Sequence, residues 1–210
     1  MYVPPHFTET DRTRLVALMR QRSFAMLTTV AEGEPFVSHL PLWWEDDGSA
    51  HGRLIGHMAR ANPQWRHFAT MDSGGQKVLA VFAGPHAYIS PSWYDSTAQV
   101  PTWNYGAVHA YGTPRIVDDP TAVLGILQKL VGIYESGFEQ PWRMDGLPEG
   151  YAERLSKAIV AFELPIERIE GKWKLGQNKS AADRMGTAVA LERLGGEDNL
   201  AIAAATRATL

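Results

Sequence analysis

The sequence predicts a mainly antiparallel β fold with attached helices, in the α+β class. Three observations predict it. Short runs alternating apolar and polar residues succeed one another across tight turns, as in antiparallel hairpins. The strand–helix–strand rhythm of a parallel sheet is absent. Helical stretches are short inserts between strands or gather in the last third, which suits a barrel with helices added to it.

Taken in order, Thr8 stands three residues before Asp11, close to a capping box. Leu15, Leu18 and Met19 follow at helical spacing, so a helix is expected from Glu9 to Arg22. "SFAMLTTV" reads as a strand, "AEGEP" as a turn centred on Gly33, and "FVSHLPLWWE" as the next strand. Its alternation puts Ser38, Leu40, Leu42 and Trp44 on one face and Val37, His39, Pro41 and Trp43 on the other. "DDGS" turns the chain into a third strand, "AHGRLIGHM". Asn62 is a natural N-cap and Pro63 a natural first residue for a short helix to about Thr70, broken by "SGG". "QKVLAVFAG" is apolar enough for a strand covered on both faces. "PHAYISPSWY" continues as β and turns out at Pro91, and "NYGAVHAYGTPRIV" resumes it. Asp119-Pro120 opens a helix to about Ser136; "YAERLSKAIV" is expected to be helical; "AFELPIERIEGKWKL" is the last strand, bent at Pro165. From Ser180 the chain reads as helix, interrupted at Gly195-Gly196, with Ser180 and Asp183 as a capping box. The expected organisation is one domain over residues 1–194 and a helical tail over 195–210, the alanine-rich end only loosely held.

Composition narrows the function classes. At 210 residues and 45% hydrophobic, the chain can bury a sizeable core. Its formal charge of −3 disfavours a surface wholly given to nucleic acid. With no cysteine, disulfides, thiolate metal sites and thiol nucleophiles are excluded. No apolar run reaches the roughly 18 residues of a membrane span, and the first residues lack a signal-peptide pattern. A cytoplasmic protein is expected. The seven histidines form no HxH or HExxH motif, so no metal site is expected. Neither GxSxG nor a P-loop is present, and no catalytic residue is assigned.

Two segments carry the chemistry. In "GHMARANPQW", His57 at a strand end, Arg60 and the cap Asn62 could cradle a phosphate; an ordinary capped helix is the alternative. In "EGKWKLGQNKSAADR", Lys172, Lys174, Lys179 and Arg184 crowd around Gln177 and Asn178. Small-anion binding or a dimer contact is favoured there over contact with nucleic-acid phosphates, since no helix-turn-helix accompanies the charge. Between them, Tyr88, Trp93, Tyr94, Trp103 and Tyr105 are arrayed around prolines, with Asn104 between two rings. An uncharged aromatic surface loop calls for a cover: a partner subunit, a flat ring ligand such as a flavin, or both.

The blocks "FVSHLPL", "GHMARANPQW", "GPHAYISPSWY", "VPTWNYGAVHAYG" and "GKWKLGQNKS" resemble, in this order, the signature blocks of the PaiB-like family. The resemblance runs from about Met1 to Leu194. It implies an FMN-binding split β-barrel of the pyridoxamine-phosphate-oxidase type, forming homodimers with FMN at the subunit interface, and a role as negative transcriptional regulator. It implies that Ser38 or His39 faces the flavin and that Arg60 and Asn62, with His57 nearby, hold its phosphate. Trp93, Trp103 and Asn104 would wall the ring, and Lys174, Gln177 and Asn178 would close the site. A flavin-dependent oxidoreductase, or a haem-handling split barrel, is the alternative activity, since the cofactor carries that chemistry itself. DNA as a partner follows from the regulatory description alone.

Overall fold

The hairpins at the start of the chain form as their alternation dictates. The computed structural model describes residues 1–69 and 77–210. Strand β1 (Thr8–Glu9) precedes helix α1 (Arg12–Gln21), which starts later than expected. The Asp11 carboxylate accepts from the Thr13 N–H at 2.8 Å and so performs the capping expected of Thr8. Strands β2 (Phe24–Ala31), β3 (Glu34–Glu45) and β4 (Arg53–Ala59) follow. Glu32 and Gly33 both take positive φ (54° and 83°), the left-handed pair that a two-residue hairpin turn requires. β2 and β3 pair from Phe24 opposite Pro41 to Ala31 opposite Glu34. This register buries Ser38, Leu40, Leu42 and Trp44 and turns Val37 and His39 outward, as the alternation predicted.

After β4, Asn62 caps a 3-10 turn, Pro63–Trp65, that runs into the one-turn helix α2 (Arg66–Ala69). The expected helix end at Thr70 and the "SGG" breaker lie outside the described residues. β5 (Val78–Ile89), β6 (Thr102–Gly112) and β7 (Arg115–Val117) continue the sheet. β5 alternates between buried and partly exposed positions and is not covered on both faces. Helix α3 (Pro120–Glu135) is capped by Asp119, whose carboxylate accepts from the Ala122 N–H at 2.8 Å. Helix α4 (Tyr151–Ser156) is shorter than expected, because Ile159 and Val160 already belong to strand β8 (Ile159–Lys174). Helices α5 (Ala181–Leu194) and α6 (Glu197–Arg207) complete the chain.

All pairings with defined register are antiparallel. The strand order is β1-β8-β4-β3-β2-β5-β6, with β8 also bonded to β6 and β7, so the order returns on itself as in a barrel.

The chain divides into two compact units. The first comprises residues 1–18, 82–109 and 170–210. Its core joins Ala87 and Ile89 of β5 to Leu175, to Ala188 and Leu191 of α5, and to Ile202 and Ala203 of α6, with Trp93, Tyr94 and Trp173 packed against them. The C-terminal end is therefore not loose: Ile202 and Ala203 are each 1% exposed. The second unit comprises residues 19–81 and 110–169. There α3 lays Val123, Ile126 and Leu130 over Ile55 and Ala161. Among the described residues no helix is long and apolar enough to cross a membrane.

Candidate functional site

The sequence-predicted residues fall into two polar groups, one in each unit. In the second unit, Ser38 is buried on the inner face of β3, where Asn62 reaches it. The Asn62 amide donates to the Ser38 hydroxyl at 2.8 Å, and its oxygen accepts from the Gln64 N–H at 3.0 Å. One side chain thus caps the turn and ties it to the sheet. Gln64 follows, fully buried, its Nε2 donating to the carbonyls of Leu27 (2.8 Å) and Phe36 (3.1 Å) and to the Thr29 hydroxyl (3.2 Å). Its Oε1 has no hydrogen-bond partner among the described residues. Sequence reading missed Gln64; a polar residue directly after a helix-start proline reads as solvated unless the sheet beneath it is known.

His57 is half-buried on β4. Burial lowers its pKa, favouring the neutral imidazole, and its buried Nδ1 has no partner among the described residues. His39 is exposed and stacks on the outward Phe24 ring, centroids 6.2 Å apart. Arg60 is exposed and two of its donors are engaged, Nε with the Lys157 carbonyl (2.9 Å) and Nη2 with that of Ile159 (2.8 Å). It borders a pocket of about 180 Å³ with Asp118 and Lys157. That is below the roughly 300–1,000 Å³ of ligand sites, so a flavin ring would need further walls.

In the first unit the aromatic loop divides. Trp93 and Tyr94 fold inward onto the α5–α6 core, while Trp103 stays 52% exposed and Tyr88 47% exposed. Trp103 meets Tyr88 edge-on, centroids 5.9 Å apart, and lies beside His86. Asn104, one position along β6, is 3% exposed. The loop is clamped by helix α5: buried Asp183 accepts from the Ser96 N–H at 2.9 Å and the Ser96 hydroxyl at 2.7 Å, which holds its carboxyl at a pKa of about 2. Gly186 lets the loop in, since a Cβ there would lie 2.2 Å from the Trp93 carbonyl oxygen. Asp183 reads from sequence only as part of a helix cap. Its bond to Ser96, 87 positions away, needs the fold.

The end of β8 supplies the cations. Lys174 donates to the Thr102 hydroxyl, Lys179 to the Gln99 side chain, and Lys172 to the Tyr2 carbonyl at 3.1 Å. Lys172 is only 6% exposed. Gln177 is spent locally, donating to the Trp173 carbonyl at 2.6 Å and accepting from the Leu175 N–H at 2.8 Å. Asn178 is exposed on the same turn.

In the first unit, a partly exposed aromatic wall and a set of ammonium groups suit a flat anionic ligand. The family model described as "Putative FMN-binding domain" matches residues 1–168 of the chain. The chain belongs to this FMN-binding family. FMN is the family's cofactor, and the family's split-barrel fold agrees with the strand order found here. Among relatives, the protease synthase and sporulation protein PAI 2 of Bacillus subtilis is 37% identical over 203 residues, 95% of this chain and 91% of that protein. An uncharacterised protein of Emericella nidulans is 32% identical over 97% of this chain and 95% of its own length. Among solved structures, the FAD- and haem-binding protein of Mycobacterium smegmatis matches with a TM-score of 0.61 at 18% identity, over 90% of this chain and 80% of that one. The flavocytochrome Anf3 of Azotobacter vinelandii has the same TM-score and identity, over 82% of this chain and 72% of that one. Both structures share the fold.

Proposed function

We propose that this chain is an FMN-binding homodimer acting as a PaiB-like negative regulator of transcription, with the flavin at the subunit interface. The observation that carries this reading is the relationship to PAI 2 across nearly the whole of both chains. Ser38, His39, His57, Arg60, Asn62, Trp93, Trp103, Asn104, Lys174, Gln177 and Asn178 are the residues that would contact the flavin. Bound FMN would supply the electron chemistry; the chain's part is to orient the ring, supply hydrogen bonds and keep water out. The outer face of β2 and β3 supports a dimer, for it leaves Phe24 69%, Val37 47% and Val30 38% exposed around His39. Such a patch calls for a cover.

The test is titration of the purified chain with FMN, read as a shift of the flavin band near about 450 nm, together with its mass in solution. Phe24→Lys should yield a monomer that binds FMN weakly; an unchanged dimer would count against this face as the seam. Promoter fragments in a mobility-shift assay test the regulatory part, and binding without sequence preference would defeat it.

One observation favours the second reading, a flavin-dependent oxidoreductase. The basic window of 172–184 is turned inward, with Lys172 buried, Lys174 and Lys179 tied to neutral side chains, and Arg184 donating to Thr209. That leaves little of it for a duplex. Bleaching of bound flavin by a reduced nicotinamide nucleotide, with turnover on an electron acceptor, would decide for this reading.

A further inference from the structure

Lys172, Lys174 and Lys179 of the first unit form a group whose charge is not balanced. Among the described residues none of the three makes an ion pair; each is held by a neutral oxygen, of Tyr2, Thr102 or Gln99. Aromatic faces supply the rest of the environment. The Lys172 ammonium lies 4.9 Å from the Tyr105 ring centroid and 5.6 Å from that of Tyr2, and Lys179 lies 5.5 Å from Tyr94. Ring faces are partial negative surfaces and do not neutralise a cation. Of the unit's nearby acids, Glu170 pairs with the N-terminal ammonium and Glu9 with Arg14, Asp95 is exposed, and Asp183, hydrogen-bonded to Ser96, is the one carboxylate beside Tyr94 to set against three ammonium groups. The crowding is felt by Lys174, whose pKa is lowered by burial and then by the charges of Lys172 and Lys179.

Like charges gathered in a partly buried group, here with only Lys172 fully buried, destabilise a fold unless a counter-charge joins them. Arg60 offers a contrast, because its guanidinium is already engaged by two backbone carbonyls. The geometry points to an oxyanion site at Lys172, Lys174 and Lys179, walled by Tyr94 and Tyr105, that takes a phosphate- or carboxylate-bearing small molecule. Lys174 is shared with the flavin site proposed above, but the inference does not depend on that site. The oxyanion has two possible sources, the phosphate of FMN itself or a separate anionic ligand.

The test begins on flavin-free full chain with inorganic phosphate, followed by calorimetry and by the rise in melting temperature. Saturable binding is expected, weakened by roughly tenfold or more in Lys172→Met and in Lys179→Gln. Both variants are checked for native far-ultraviolet dichroism. FMN and riboflavin are then titrated with and without phosphate. If FMN competes with phosphate and riboflavin does not, the flavin's own phosphate is the occupant. If FMN and phosphate bind together, the site serves a separate ligand. The inference is overturned if wild-type chain binds no phosphate and the lysine variants change FMN and riboflavin affinity equally or not at all. Failure of the flavin reading is distinct: phosphate would still bind while FMN did not.

Discussion

The Ser38–Asn62–Gln64 group and the Lys172–Lys174–Lys179 group are both partly buried polar clusters on β-strands and turns, yet they are built oppositely. In the first, neutral amides and a hydroxyl bridge a turn to the sheet beneath it, and nearly every hydrogen-bonding atom has a protein partner. In the second, cationic groups accumulate without acids, held by neutral oxygens and ring faces. The difference separates polar groups already paired within the chain from groups left with charge over. A polar cluster that satisfies itself stabilises the fold, whereas one that leaves charge over is stabilised further by binding something.

This contrast can be broken or sharpened by mutation. The largest effect is expected for Gln64→Leu, which takes the Nε2 donor from two carbonyls and leaves the Thr29 hydroxyl only its bond to His67. It should lower stability by about 3 kcal/mol, from about 1–3 kcal/mol for each buried group left unsatisfied, seen as a lower urea midpoint. Next is Gly186→Ala, whose methyl would meet the Trp93 carbonyl. It should cost about 1–3 kcal/mol and expose the segment 90–101 to limited proteolysis, with little change at the Asn62 turn.

Asp183 gives a pH signature. Its carboxyl, ordinarily near 3.8, is held at about 2 by the Ser96 hydroxyl and N–H and by Ser180. A lowered pKa in the folded state means the stabilisation is complete above about 3.8 and is lost as pH falls through about 2. The stability difference between wild type and Asp183→Asn should therefore be at its full width from about pH 5 upward and shrink towards pH 2; a difference that stayed constant down to pH 2 would show that the Ser96 clamp is not the cause. The smallest effect on stability is expected for Lys172→Met. Replacing a buried uncompensated charge by an apolar chain of similar length should change stability by less than about 1 kcal/mol, in either direction, while phosphate binding falls. A large destabilisation would place the lysines beside Gln64, among the groups already paired within the chain.

Much of the fold was legible because its signals are local. The face alternation of β3, the turn at Gly33, the caps at Asn62, Asp119 and Ser180, and the break at Gly195-Gly196 all act within a few residues. The errors were local too. Asp11 took the capping role expected of Thr8, and "AIV" after α4 went to the sheet, where β8 pairs Val160 with Met58 and Ala161 with His57. Pairing with β4 overrode a weak helical preference. The aromatic loop was half understood. A cover was expected for all of it, but Trp93 and Tyr94 are covered by α5 and α6 of the same chain, and only Tyr88 and Trp103 keep large exposed faces.

By itself the sequence determined the strand and helix order, the outward and inward faces, and the blocks that mark an FMN-binding chain, because each depends on neighbours in sequence. Only the tertiary structure decided which polar residues are satisfied and which are left charged. Lys172 and Lys174 look alike in the sequence, yet one is buried against Tyr2 and Tyr105 and the other reaches Thr102. Burial and counter-charge are set by residues as much as 170 positions away, and no local pattern records them.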